Sequence, residues 1–80
     1  MSSLQEATEK WRQASAKRDR AYELLIDRAM EVQSVKSEYG RMEAMHRHTV
    51  AKLDYELSRD EATEARIAMT DMAARISAIG

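Results

Sequence analysis

The chain has 80 residues, a net charge of -1, and 34% charged but only 5% aromatic residues. It has no cysteine, so a disulfide scaffold and a thiolate metal site are both excluded. No apolar run approaches the length of a membrane span, and a near-neutral balance lacks the basic footprint of a bulk nucleic-acid binder.

Proline is absent, and Gly40 is the one glycine before the terminal Gly80. Ala, Glu and Arg are the commonest residues, and these, with Leu and Met, are strong helix formers. An apolar share of 44% argues against disorder, and the composition is that of long helices or a coiled coil. No signal-peptide apolar region opens the sequence, so the cytoplasm is the expected compartment. Eighty residues allow one domain, 1–80. A core of this size rarely supplies more than ~3–5 kcal/mol. Much apolar surface should therefore remain for a second copy or a protein partner.

Ser3-Leu4-Gln5-Glu6 fits a capping box, and the first helix is predicted from about 4 to 38. One heptad register runs through Leu4, Ala7, Trp11, Ala14, Arg18, Ala21, Leu25, Arg28, Val32, Val35, Tyr39 and Met42. Gly40 lies at the midpoint and suits the end of a helix, so the turn is expected at about 39–41. A second helix follows from about 41 to 78. Its apolar stripe is expected to begin Met42, His46, Val50, Leu53 and Leu57. It resumes with Ala65, Ala68, Met72, Ile76 and Ile79.

Folding the chain at Gly40 sets apolar segments against apolar ones. It also sets Lys17, Arg18 and Arg20 against Asp60, Glu61 and Glu64. The expected fold is all-α: an antiparallel two-helix hairpin, coiled-coil-like, completed by dimerisation or a partner. The alternative is one continuous helix in an antiparallel dimer, because a lone mid-helix glycine costs only ~1 kcal/mol.

Glu43 and His46 share a helix face with the spacing seen in di-iron bundles. The neighbouring carboxylates, Glu31 and Glu38, fall away from the apolar stripe, so no metal or other cofactor is expected. His46 and His48 point to different sides of a helix and do not chelate one ion together. No nucleophile elbow or phosphate-cradling glycine loop occurs, and no catalytic residue is assigned. Lys10, Arg12, Lys17 and Arg20 surround Trp11 and are the candidate nucleic-acid contacts, since basic residues with an aromatic can track phosphates and stack on bases. Trp11 itself falls in the heptad seam.

The leading expectation is a non-enzymatic protein–protein interaction module: an adaptor, assembly chaperone or inhibitor acting through helix packing. Trp11, Leu25, Val32, Leu53, Met69, Met72 and Ile76 form its expected contact stripe, with apolar anchors spaced as in helix-in-groove recognition. A small nucleic-acid-binding helical dimer is the alternative. The two-helix outline resembles the WXG-type secreted hairpins, but their Trp-x-Gly signature is absent and no residue is carried over.

Overall fold

Long runs of helix formers, unbroken by proline, give two helices in the structure, a computed structural model that describes residues 3–79. The helices are α1 (Ser3–Ser34) and α2 (Glu38–Ile79). They pack antiparallel as one extended hairpin, so the chain turns back rather than continuing as a single helix. The hairpin measures 63 × 15 × 14 Å. Its radius of gyration is 18.1 Å, against about 12 Å for a compact domain of this length.

The turn is Val35–Ser37, earlier in the chain than the expected Gly40. The reason is a cap that lies before the glycine. The Gly40 amide donates to Ser37 Oγ at 3.1 Å, and the Arg41 amide donates to the Ser37 carbonyl at 2.9 Å. Ser37 is thus the N-cap of α2, satisfying a backbone donor that the first turn leaves open. Gly40 is helical and has no positive φ. It is small for another reason: an added Cβ would lie 2.6 Å from Ser37 Oγ and 2.7 Å from Val35 Cγ1.

The seam between the helices takes small residues from α2. Ala44, Ala51 and Ser58 recur every seventh residue and are buried, as are Ala62 on α2 and Ala21 on α1. Ala65, Met69, Met72, His48 and Tyr55 continue the same seam half-buried. Opposite them, α1 supplies the register read from its sequence. Leu4, Ala7, Trp11, Ala14, Arg18, Leu25, Arg28, Val32 and Val35 are all half-buried. Large residues on one helix against small ones on the other is a packing solution that lets layers interdigitate.

The first part of the α2 stripe is a correction. Met42, His46, Val50, Leu53 and Leu57 were expected inside the hairpin, and all five are exposed. At about 100° per residue, Leu53 points away from Ala51 and Tyr55, which lie two positions either side of it. The small Ala/Ser row faces the large residues of α1, whereas the larger residues of α2, which share the same seven-residue spacing, occupy the outer face.

Candidate interaction surface

Five residues are buried among those described, all alanine or serine. Each buried methyl group contributes only about 0.8 kcal/mol. No large apolar side chain is fully buried among the described residues, so the seam holds the hairpin weakly. The large apolar side chains lie outside instead. Tyr22, Leu24, Ile26, Met30, Tyr39, Met42, Met45, Val50, Leu53, Leu57, Ile67 and Ile76 are all exposed.

Their distribution is uneven. Apart from Ile67 and Ile76, every one lies between Tyr22 and Leu57, in the half of the hairpin that carries the turn. On α2 they form a stripe: Tyr39, Met42, Val50, Leu53 and Leu57, with His46 in the gap. The steps of three or four residues keep them on one face. Tyr39 is 74% exposed, Leu53 55% and Leu57 64%. The stripe stops at Asp60, Glu61 and Glu64. Beside it, Leu24, Arg28, His46, Val50 and Ala51 line a groove between the helices. A second groove, near the open end, is lined by Ala7, Lys10, Ala65, Ala68 and Met72.

Three contacts across the hairpin fix its register. Lys17 Nζ donates to Glu61 Oε2 at 3.2 Å. Arg47 Nε donates to Glu31 Oε1 at 3.0 Å. The rings of Tyr22 and Tyr55 lie 5.4 Å apart, tilted by 51°. All three partners lie within three positions of the pairing expected from folding at Gly40. The match of the basic cluster to the acidic cluster holds for Lys17, whereas Arg18 turns to its neighbour Asp19 at 3.1 Å.

Glu31 is the most heavily engaged side chain. It accepts from Arg47 of α2 and from Arg28 one turn earlier, the latter at 3.0 Å. Hydrogen bonds first to Arg47 and then to Arg28 hold its carboxyl below the usual carboxylate range, against a smaller opposing effect of desolvation.

Of the expected contact stripe, Trp11, Leu25, Val32, Met69 and Met72 are half-buried in the seam. Leu53 and Ile76 are exposed. The side chain of Ile79 lies outside the described residues. The candidate nucleic-acid contacts Lys10, Arg12, Lys17 and Arg20 are all exposed; Lys10, Lys17 and Arg20 lie within about 80° of one another on α1, and Arg12 falls away from Lys10. Arg12 lies about 160° around α1 from Lys10, and Lys17 is ion-paired with Glu61. His46 is exposed and His48 half-buried. The described residues contain no group of three or more His, Cys, Asp or Glu side chains able to hold a metal ion.

The signal for the outer stripe was present in the sequence as the very spacing first assigned to the seam. What the sequence did not weigh was the competing Ala44-Ala51-Ser58 row, whose members are individually weak hydrophobes. No protein-family model, curated protein or solved structure matches this chain. No helix among the described residues is long and apolar enough to cross a membrane.

Proposed function

We propose that this chain is a non-enzymatic protein–protein interaction module, and that its activity is to occupy or bridge helical surfaces through the turn half of the hairpin. An adaptor, an assembly chaperone and an inhibitor all work this way. The carrying observation is the row of large apolar side chains left outside a seam of alanines. Such a patch on a soluble chain marks a binding surface.

Surface area supports the same reading. The chain exposes 6250 Å², whereas a compact protein of 9.2 kDa exposes about 4,900 Å². The excess, about 1,300 Å², exceeds the roughly 800 Å² that each partner contributes to a standard interface. Exposed Met42 and Met45 beside Leu53 and Leu57 give the surface adaptable packing. A nucleic-acid role receives less support, because Arg12 lies off the face of Lys10 and Lys17, and Lys17 is paired with Glu61.

The test compares the isolated protein with Leu57→Asp and Ile67→Asp by light scattering for mass, by far-UV circular dichroism for helicity and by binding of a hydrophobic fluorescent dye. Either self-association or dye binding is expected of the parent protein, reduced far more by Leu57→Asp than by Ile67→Asp. A monomer that binds no dye would overturn the reading.

A further inference from the structure

We propose that a second copy of this chain covers the outer stripe of α2. The two α2 helices would run antiparallel about a twofold axis close to Val50, and two hairpins would complete a four-helix bundle. This rests on the interaction-module reading and names the occupant of that surface.

The first support is the symmetry of the stripe. A twofold interface must be self-complementary, with the same patch on both chains. Tyr39, Met42 and His46 lie on one side of Val50, and Leu53 and Leu57 lie on the other. Antiparallel pairing about that point sets Met42 against Leu57 and His46 against Leu53, each contact occurring twice. From Tyr39 to Leu57 the stripe spans about 27 Å at 1.5 Å per residue, enough for several layers of a bundle.

Charge at the two ends provides the second support. The turn end of the stripe carries a balanced set, Lys36, Glu38, Arg41 and Glu43, whereas Asp60, Glu61 and Glu64 close it at the far end. Lys36, Arg41 and Glu64 make no ion pair among the described residues. An antiparallel second copy brings each acidic end beside this balanced end rather than beside another acidic end. A parallel copy would set the acidic segments against each other, and like charges so placed disfavour that arrangement. Glu43 and Asp54 approach one another at the rim of the antiparallel pair, where solvent screens them.

Area provides the third. The surplus surface of about 1,300 Å² per chain accommodates the roughly 800 Å² per partner of a standard interface. The weak alanine seam explains why completion by a second hairpin would be needed, since one stripe per helix leaves most of the large apolar groups wet.

The chain has no cysteine, so single-cysteine variants report geometry directly. The experiment measures solution mass by light scattering, and disulfide formation in Val50→Cys and Ile67→Cys under mild oxidation. A homodisulfide forms readily only when the two Cα atoms approach within about 7 Å. The expected results are a mass of twice the 9.2 kDa chain, a cross-linked dimer from Val50→Cys with helicity retained, and little from Ile67→Cys. Leu53→Asp should give a helical monomer. A monomeric parent protein would overturn the second-copy proposal; if it still binds hydrophobic dye, the interaction-module reading stands and the occupant is another protein's helix. A dimer in which Leu53→Asp changes nothing, or in which Ile67→Cys links as fast as Val50→Cys, would also overturn it.

Discussion

Ser37 Oγ accepts the Gly40 amide at 3.1 Å, and a methyl group on Gly40 would sit 2.6 Å from that same oxygen. The cap and the glycine therefore depend on each other. Replacing an exposed helical glycine by alanine ordinarily gains up to ~1 kcal/mol. Here Gly40→Ala displaces the cap oxygen, whose loss costs about the same. Gly40→Ala alone should leave stability unchanged or lower it, and Ser37→Ala should lower it by ~1 kcal/mol. In the Ser37→Ala background the cost of Gly40→Ala should shrink, because only the contact of the added methyl with Val35 Cγ1 remains. Urea unfolding of the four proteins measures that coupling; strictly additive effects would show that the two residues act independently.

Glu31 joins Arg28 of its own helix to Arg47 of the other. Its carboxyl titrates below the ordinary value in the folded protein, because Arg47 and then Arg28 favour its charged form. A depressed folded-state pKa contributes stability above the unfolded pKa, and the contribution is lost as pH falls through the folded value. Glu31→Gln should lower the thermal midpoint by a few degrees at pH 7, leaving Arg28 and Arg47 without their shared anion. The parent and variant curves should converge in acid, below the normal carboxylate range. A gap that stays constant across that range would mean the glutamate acts through packing rather than charge.

The fold was legible where one signal spoke alone. On α1 the heptad from Leu4 to Val32 is at least half-buried at every position, whereas its continuation beyond the turn, to Tyr39 and Met42, falls on exposed positions of α2. On α2 two stripes share the helix. Judged by hydrophobicity, Val50, Leu53 and Leu57 outweigh Ala44, Ala51 and Ser58, yet the small residues face α1. Both stripes share the seven-residue spacing, so spacing does not separate them; the fit of small side chains against the large ones of α1 does, and that is not visible from side-chain hydrophobicity. The turn was displaced for a similar reason. Gly40 drew attention as a breaker, while the serine three residues before it was the functional cap. Surface exposure in the turn half depends on which α2 stripe faces inward, so the candidate site could only be located once that was known.

Ser58 is 1% exposed, and its hydroxyl oxygen has no hydrogen-bond partner. Burying an unsatisfied polar group costs about 1–3 kcal/mol. Ser58→Ala would extend the Ala44–Ala51 row and remove that cost. It should raise stability, by roughly 1 kcal/mol. Ser58→Leu should do the opposite, because extra methylenes forced into a tight seam cost about 1–3 kcal/mol. Thermal melts of both variants test the pair. Stabilisation by leucine would mean that the seam contains room the packing does not show.

Lys17 and Glu61 meet across the hairpin at 3.2 Å, each side chain about half exposed. Their charges set register more than they add strength, since exposed pairs contribute only ~0.2–1 kcal/mol. Lys17→Glu should lower stability slightly, by placing two carboxylates together. Glu61→Lys should do the same with two ammonium groups. Combining the two restores opposite charges in reversed order, and the double variant should recover most of the loss. Moderate salt should shrink all these differences, because exposed charges are screened over about 10 Å at 0.1 M. The measurement is a double-mutant cycle by urea unfolding at low and moderate salt. Failure of the double variant to recover would place Lys17 and Glu61 out of contact in solution, and would call for a different register between α1 and α2.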